Sequence, residues 1–325
     1  MDGIETRIRR VDLSIIIPTF NRLWSLPEAI ASCPRSDRIE IIVVDDGSTD
    51  ATWKWLSTQP GITAIRQENW GKAAAVNAGI AAASGTYVKF LDSDDLLIGD
   101  AVSAQLAFAL NHGPDICVAG YQACYLDSGT QVLHSWEDCG DFLAQQLGEC
   151  DSSHYSAYLF RREFLQDVSH RPEFAFRDDR MFILECALKM PTVLAWEQPT
   201  LMHRHHGKQR IQFQPGSTAV VTNWQELQMY RKILRLLDHH KLATPRRKAA
   251  MSNNIWALAL RIGAHNIREG SDVIAWLHTI NPGFAIPSGG QNRLYRSIGY
   301  RPAQLIVNAA RACRNGLRKL GLFQS

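Results

Sequence analysis

The chain has 325 residues, of which 46% are hydrophobic and 21% charged, the ordinary composition of a soluble globular protein. Its length allows one large core or two modest ones. No run of ~18 apolar residues is present, so the sequence predicts no transmembrane helix. Residues 1–12 are charged and lack the apolar core of a signal peptide. The seven cysteines include no Cys-x-x-Cys pair, which favours reduced thiols and a cytoplasmic protein.

The first third of the chain alternates strand and helix patterns. Short apolar runs at 13–18, 39–44, 62–66 and 87–91 are typical of buried parallel strands. Helical patterns separate them at 26–33, 48–56 and 73–83. Repeated strand–helix–strand units predict an α/β fold with a mostly parallel sheet sandwiched by helices.

The remaining chain is less regular and then becomes helical. Residues 115–126 predict paired strands, 132–136 a return strand, 180–189 a helix and 193–201 an extended segment. From about residue 218 apolar residues recur at helical spacing, with one helix predicted over 246–267 and a last one over 303–320. We predict a catalytic domain over residues 1–215 and a helical C-terminal extension over residues 216–325.

Charge is distributed unevenly along the chain. The net charge is +3, yet every one of the 32 acidic residues lies in residues 1–272, and seven basic residues follow without an acid. Apolar residues of the last helix share one stripe, namely Leu305, Ala309, Ala312, Cys313, Leu317 and Leu320. Such a helix fits an anionic membrane surface, on the inner face and without crossing it. A surface helix packed on the catalytic domain is the alternative. Nucleic acid is not expected, since few aromatic residues accompany the charge.

Three polar clusters follow predicted strands: Thr19-Phe20-Asn21, Asp45-Asp46-Gly47-Ser48 and Asp92-Ser93-Asp94-Asp95. Ligands of open α/β sheets bind outside the carboxyl ends of the strands. Carboxylates gathered at one edge repel one another unless a cation lies between them. Two carboxylates with diphosphate oxygens and waters make a Mg²⁺- or Mn²⁺-type site. The alternative is that these residues only form turns and cap helices.

The stretch from Leu13 to Leu97 resembles the nucleotide-binding half of glycosyltransferase family 2, which has the GT-A fold. The resemblance is carried by SIIIPTFN, IIVVDDGSTD, NWGKAAAVNAGI and FLDSDD. It implies an enzyme that binds a nucleotide-sugar donor with Mn²⁺ or Mg²⁺. The implied donor-binding residues are Pro18, Thr19, Phe20, Asp46, Gly71, Lys72, Asn77, Asp92, Ser93 and Arg204. The implied metal ligands are Asp94, Asp92 and His206.

The resemblance also implies a carboxylate that deprotonates the acceptor hydroxyl. Family members place it in a Glu-Asp pair, and here the matching stretch carries Asp178-Asp179. We take Asp179 as the base and Asp178 as its support, with helix N-capping as the alternative. In His203-Arg204-His205-His206 the resemblance implies donor-diphosphate or metal contacts for Arg204 and His206. An independent zinc site is disfavoured because no Cys or Glu lies at useful spacing.

The resemblance, together with these residues, implies an inverting glycosyltransferase. The expected donor is a UDP-sugar and the expected acceptor a hydroxyl of a glycan or lipid-linked molecule, in cell-surface polysaccharide synthesis. A sugar-1-phosphate nucleotidyltransferase is the alternative enzyme, although its Gly-rich phosphate loop is missing after the first strand. A non-catalytic nucleotide-sugar-binding module is the second alternative, although Asp92, Asp94 and Asp179 are all present.

Overall fold

The computed structural model describes residues 10–207, 217–290 and 292–319. The chain forms two compact units. The first comprises Met1–Phe142 and Cys150–Gln209, and the second comprises Leu143–Glu149 and Arg210–Ser325. The α/β class with a helical C-terminal region, expected from the sequence, is confirmed.

The first unit is built on one nine-stranded sheet. Its first four strands are β1 (Leu13–Thr19), β2 (Ile39–Asp45), β3 (Thr63–Arg66) and β4 (Tyr87–Phe90), paired in parallel in the order β3-β2-β1-β4. Every residue of β1 is buried, as the continuous apolar run predicts for a strand covered on both faces.

Four helices connect these strands or follow them: α1 (Leu26–Ser32), α2 (Thr52–Leu56), α3 (Lys72–Ala82) and α4 (Gly99–His112). Helix α3 lies close to the sheet because its residues are small. A Cβ at Gly79 would stand 2.3 Å from Cγ2 of Ile16. Helix α4, which the sequence analysis did not predict, ends at Gly113 in the left-handed conformation, with φ of +66°.

The second half of the sheet is mixed in direction. It contains β5 (Leu96–Leu97), β6 (Ile116–Tyr125), β7 (Thr130–His134), β8 (Leu159–Arg161) and β9 (Val193–His205). Strand β8 pairs antiparallel with β4 and β6, whereas β9 runs parallel to β6. Residues 116–125 form one long strand rather than two paired ones, and β7 is the predicted return strand. Helix α6 (Asp178–Leu188) completes this half, whereas all of helix α5 (Phe142–Leu147) except Phe142 belongs to the second unit.

Lys89 of β4 is fully buried in the core of the first unit. Its Nζ donates to Oε1 of Gln105 at 3.3 Å, and to Oγ1 of Thr200 and the carbonyl oxygen of Tyr158 at 3.4 Å. All three acceptors are neutral, so burial dominates and lowers the pKa of Lys89 to about 7.

The second unit is helical. Its long elements are α7 (Ser217–His239), α8 (Pro245–Gly263), α9 (Ile267–Ile280), α10 (Asn292–Ile298) and α11 (Tyr300–Lys319). The helix predicted over 246–267 ends early, because Asn266 accepts hydrogen bonds from the N–H groups of Arg268 and Glu269 and so begins α9. Gly263 and Gly270 leave room for the hydroxyl of Tyr300, which donates to the carbonyl of Ala259 at 2.7 Å.

Helix α11 carries the predicted apolar stripe on an exposed face. Leu305 is 59% and Ile306 is 52% exposed, and Ala309, Ala312 and Cys313 are exposed beside them. The side chains of Leu317 and Leu320, the other members of the stripe, lie outside the described part of the chain. Within the described ranges, no helix combines the length and the apolar character needed to cross a membrane.

Candidate active site

The loops after β1 and β2 are tied together at one edge of the sheet. Asn21, with φ of +52°, accepts hydrogen bonds through Oδ1 from the N–H groups of Thr49 at 2.8 Å and Asp50 at 3.2 Å. Its own N–H donates to Oγ of Ser48. Pro18 and Thr19 are buried beneath this junction, whereas Phe20 is 39% exposed. The edge therefore presents an aromatic ring to an incoming ligand.

Asp46 organises the loop that leads into α3. Its Oδ1 accepts from Nε2 of Gln67 at 2.8 Å and from the N–H of Trp70 at 3.0 Å, and its Oδ2 accepts from the N–H of Gly71 at 2.9 Å. Gly71 has φ of +91°, a conformation that favours glycine. The carboxylate thus shapes the site from within, and a further hydrogen bond from a nucleobase to Asp46 remains a prediction.

Lys72 and Asp92 form an ion pair at the start of α3. Nζ of Lys72 lies 2.6 Å from Oδ1 of Asp92, with about a fifth of each side chain exposed. Burial by itself would lower the pKa of Lys72, but the carboxylates around it, Asp92 first, raise that pKa above its ordinary value. Burial would likewise raise the pKa of Asp92, but Lys72 outweighs it and holds the pKa below its usual value. Both groups are therefore charged at neutral pH.

Asp94 and His206 stand side by side. Nε2 of His206 lies 3.2 Å from Oδ2 of Asp94, and Nη2 of Arg22 lies 3.9 Å from the same oxygen. The ring of Trp24 packs edge-on against His206, with the centroids 5.0 Å apart. Nδ1 of His206 is buried without a hydrogen-bond partner among the described residues. A carboxylate oxygen and an imidazole nitrogen this close fit two ligand positions of one divalent cation.

Asp95 supports this loop from below. It is buried, and its oxygens accept from the N–H of Arg204 at 2.8 Å and lie 3.0 Å from Nδ1 of His203. The Arg204 guanidinium donates to the carbonyl of Asp94 and pairs with Glu28 of α1. Arg204 therefore braces the Asp94 loop, and its contact with a diphosphate remains a prediction. Ser93 is buried in the same turn.

A second group of potential ligands adjoins the loop. Ligand atoms of Asp95, His154 and His203 lie within 4.8 Å of one another, a spacing that would suit a metal ion. Both oxygens of Asp95 are already engaged by protein groups. Burial and then the charge of His203 lower the pKa of His154 to about 4, so its ring is neutral at neutral pH. The sequence analysis had not singled out His154.

Asp178 and Asp179 lie in the first turn of α6, where Arg177 occupies the N-cap position without a side-chain capping bond. Oδ2 of the buried Asp178 lies 3.0 Å from Nδ1 of His170. Oδ1 of Asp179 accepts from the N–H of Arg180 at 2.7 Å. Burial and then the charge of Asp178 raise the pKa of Asp179, which makes this carboxylate a better proton acceptor.

Asn77 clamps the loop that precedes α6. Its Oδ1 accepts from the N–H of His170 and its Nδ2 donates to the carbonyl of His170, both at 2.8 Å. The His170 ring is buried and stacks on Phe182, with centroids 4.3 Å apart. The sequence analysis missed His170, because no local pattern connects it to Asn77 or Asp178.

The donor and base residues converge on one place. The charges of Asp178 and Asp179 both act on Lys72, and the ring of Tyr155 lies 5.8 Å from Nζ of Lys72. Tyr155 is buried, and the same charged groups act on its hydroxyl. The structure thus brings Lys72, Asp92 and Asp179 together and adds Tyr155, which lacks any sequence motif of its own, while the roles of the first three remain predictions.

Comparison with known proteins identifies the family. The sequence model described as glycosyl transferase family 2 matches residues 14–169. An uncharacterized glycosyltransferase of Haemophilus influenzae is 35% identical over 222 residues, which cover 65% of this chain and 85% of the relative. One of Rickettsia felis is 43% identical over 149 residues, covering 42% of this chain but only 24% of that longer relative.

A solved structure agrees at the level of the fold. The structure of Staphylococcus aureus TarS 1–349 in complex with UDP-GlcNAc superposes with a TM-score of 0.55 at 16% sequence identity, covering 86% of this chain and 95% of that chain. Identity this low speaks for the GT-A type of fold alone. The family match and the long Haemophilus alignment go further: the chain belongs to glycosyl transferase family 2 and is a glycosyltransferase.

Proposed function

We propose that this glycosyltransferase transfers a sugar from a UDP-sugar to a hydroxyl of a glycan or lipid-linked acceptor, with inversion, in cell-surface polysaccharide synthesis. The observation that carries the proposal is the convergence of three features: the Lys72–Asp92 pair, the Asp94–His206 pair and the base candidate Asp179. UDP donors are the first choice because the TarS neighbour is solved with UDP-GlcNAc.

The residues fit a displacement in one step. Asp179 takes the proton of the acceptor hydroxyl while the hydroxyl oxygen bonds to the anomeric carbon. The bond from that carbon to the diphosphate oxygen breaks, and the oxygen leaves with the electron pair. Asp94 and His206, with Asp92 nearby, would hold a Mn²⁺ or Mg²⁺ ion, which would supply positive charge for the leaving diphosphate. The Lys72 ammonium, kept charged by Asp92, adds to that field.

Two alternatives are disfavoured by particular residues. A sugar-1-phosphate nucleotidyltransferase needs a Gly-rich phosphate loop after β1, where this chain has Phe20-Asn21-Arg22. A non-catalytic module has no use for a proton acceptor, yet Asp179 is half-buried beside Asp178 and its pKa is raised.

A donor panel tests the proposal. The full chain is incubated with Mn²⁺ and UDP-GlcNAc, UDP-glucose, UDP-galactose or GDP-mannose, and free nucleotide and free sugar are measured. We expect release of UDP that stops when the metal is chelated. Release of pyrophosphate from UTP and a sugar 1-phosphate would instead identify the nucleotidyltransferase. Binding of UDP without turnover of any donor, with or without glycan acceptors, would identify the module.

We further propose that α11 docks the enzyme on the anionic inner face of a membrane. Leu305 and Ile306 are more than half exposed, and Arg311 and Arg314 are exposed on the same helix. Each cation near an anionic surface contributes up to about 1 kcal/mol, and an exposed apolar stripe adds the burial of its side chains.

Vesicle binding tests the docking. The full chain is sedimented with phosphatidylglycerol-containing vesicles and with neutral phosphatidylcholine vesicles. We expect binding to the anionic vesicles that weakens with salt and falls in an Arg311→Gln/Arg314→Gln variant. The matched control, Arg235→Gln/Lys241→Gln, removes the same charge from exposed positions of α7 and the turn after it. Equal loss in both variants would reduce the effect to net charge, and no binding by the wild type would refute the docking.

A further inference from the structure

Six aromatic and imidazole rings form a continuous row beside the active site. We call the set Tyr121, Tyr125, His134, His154, His203 and His205 the ring cluster. Tyr121 stacks on His134 with centroids 4.5 Å apart and planes 3° from parallel. Tyr125 stacks on His205 at 4.4 Å and 11°. His203 joins the two stacks, lying 4.6 Å from His205, 4.8 Å from His154 and 6.2 Å from Tyr121.

The sheet places these rings on one face. Tyr121 is the cross-strand partner of His134, Ala123 of His203, and Tyr125 of His205. Side chains two residues apart in a strand point to the same face, so β6 presents Tyr121 and Tyr125 with Ala123 between them. Ala123 is only 2% exposed. The small side chain of Ala123 is covered, and its cross-strand partner His203 stands between the two stacks.

The row runs from the donor site to the protein surface. Its inner end is His154 and His203, which both interact electrostatically with Asp92, the partner of Lys72. Its outer end is Tyr125, which is 41% exposed, and the His134 side chain is 32% exposed. A ligand lying on the cluster therefore reaches from solvent to the place where Lys72, Asp92 and Asp179 converge.

The chemistry of the cluster suits a saccharide. A sugar ring has a face of C–H bonds, which an aromatic ring removes from water, and a rim of hydroxyls. Tyrosine hydroxyls and imidazole nitrogens donate and accept hydrogen bonds with such hydroxyls. The exposed aromatic ring expected for a nucleobase is Phe20, which follows β1 rather than β6. The cluster is thus separate from the predicted base pocket.

We propose that the ring cluster binds a saccharide acceptor, with its two stacked pairs as the surface on which sugar rings lie. The inference rests on the proposed transfer to a hydroxyl acceptor and names the class of that acceptor. It predicts that the acceptor hydroxyl belongs to a sugar whose neighbouring residues extend outward along β6 toward Tyr125.

An oligosaccharide array tests the proposal with the full chain. The array carries immobilised oligosaccharides ending in N-acetylglucosamine, glucose, galactose, mannose or rhamnose, and it is probed in saturating UDP and Mn²⁺. We expect the wild type to be retained and Tyr125→Ala to lose about tenfold in apparent affinity, the scale for loss of one ring stack. His134→Ala, on the other stack, should lose a similar factor. With the best oligosaccharide as substrate, the acceptor KM of both variants should rise about tenfold.

Matched variants make the test specific. Tyr125→Phe keeps the ring and should stay within about twofold of the wild type, because the stack supplies most of the contact. Leu133→Ala is the control on the same hairpin: Leu133 is 58% exposed and neighbours His134 in β7 but points to the opposite face. It should match the wild type. Melting temperatures of all variants verify that each is folded.

Three outcomes overturn the proposal: equal retention of wild type and Tyr125→Ala, no retention of the wild type by any saccharide, or stronger retention of the wild type without UDP than in saturating UDP. In the last case the cluster would belong to the donor site. Calorimetry with UDP on the same protein samples distinguishes failure of the proposed function from failure of the ring-cluster proposal. Absence of UDP binding by the wild type counts against the proposed function, whereas UDP binding with equal retention removes only the ring cluster.

Discussion

The first unit holds two groups of carboxylates that differ in how their charge is balanced. The strand-end carboxylates include Asp92 beside Lys72 and Asp94 beside His206 and Arg22. The helix-start carboxylates are Asp178 and Asp179, two like charges adjacent in the chain. The pKa of Asp92 is held down by its ammonium partner, whereas burial and Asp178 raise the pKa of Asp179.

We propose that the two groups of carboxylates have different roles. Groups that must stay anionic, to hold a cation or to fix a loop, are given positive partners that keep them ionised. A group that must accept a proton at the right moment is better placed in a buried site beside another carboxylate. Changes at the strand ends should therefore alter binding of metal and nucleotide, and changes at the helix start should alter turnover alone.

The largest effect is expected from Asp94→Asn. Losing the anionic oxygen beside His206 should lower turnover roughly 10³-fold, the upper scale for one electrostatic contact to a developing charge. Metal-dependent UDP binding, measured by calorimetry, should weaken in parallel. Asp127→Asn, in the exposed turn before β7, is the control. Wild-type turnover in Asp94→Asn would remove Asp94 from the metal site.

Asp179→Asn should lower turnover by ~10²-fold or more, the usual scale for losing a general base. Its UDP affinity should stay near that of the wild type, since the change lies on the helix-start side. Steady-state assays and calorimetry on one preparation give both values. A fall in UDP affinity as large as the fall in turnover would mean that Asp179 acts in donor binding, as the strand-end carboxylates are proposed to do.

Lys89 offers a similar comparison for a buried amine, because the acceptors of its hydrogen bonds are neutral and do not stabilise its positive charge as a carboxylate would. Its pKa is about 7 in the fold against a reference of 10.5. Below pH 7 both states are charged and the fold bears the full cost of burial. Between pH 7 and pH 10.5 Lys89 is protonated in the unfolded chain but not in the folded one. The unfolded chain then binds more protons, so the free energy of unfolding rises with pH.

The measurement compares the wild type with Lys89→Met by urea denaturation at about pH 6.5 and about pH 9. The free energy of unfolding of Lys89→Met minus that of the wild type should fall by roughly 2–3 kcal/mol over that interval. The exposed Lys54→Met serves as the control and should show no such change. A constant difference between Lys89→Met and the wild type would mean that Lys89 stays protonated in the fold.

The smallest effect is expected from His170, a positioning residue that acts through Asp178. His170→Phe keeps a ring against Phe182 but loses the contact with Asp178, and turnover should fall about tenfold with donor KM nearly unchanged. Asn at the same position retains a side-chain N–H donor and should recover part of the loss. If Asn is no better than Phe, the role of His170 is packing alone.

Much of the fold and the donor edge could be predicted from the sequence, because their signals are local. A continuous apolar run ending in Asp-Asp or Asp-x-Asp gives both a strand and its polar end, as at Val44–Asp46 and Leu91–Asp94. The ring cluster and the His170 contacts could not be predicted, since Tyr121 meets His134 and Asn77 meets His170 only through the sheet and loops between them.

Helix boundaries show the same limit. The break between α8 and α9 depends on one side chain, Asn266, capping the following turn, within an apolar pattern that continues at helical spacing. Helix α4 lies between the Asp92–Asp95 cluster and β6. Its many small residues give only a weak amphipathic pattern, so the sequence did not reveal the helix. Local capping rather than periodicity decided the first case, and tertiary packing decided the second.

The clamp between Asn77 and His170 has a consequence for the order in which the protein is made. Synthesis delivers β1 to β4 and all strand-end carboxylates within the first 95 residues. The contacts of Asp46 and Asp92 with residues 67–72 are close in sequence, whereas Asp94 meets His206 only across 112 positions. The segment that carries the predicted base, Asp179, is fixed only when His170 contacts Asn77 of α3, 93 positions earlier in the chain. Such a contact has a large loop-closure cost. A nascent chain that ends before that point carries Asp46 and the Lys72–Asp92 pair but neither Asp179 nor His206. We therefore expect the predicted nucleobase pocket to form during folding before the predicted metal site and the predicted base are in place.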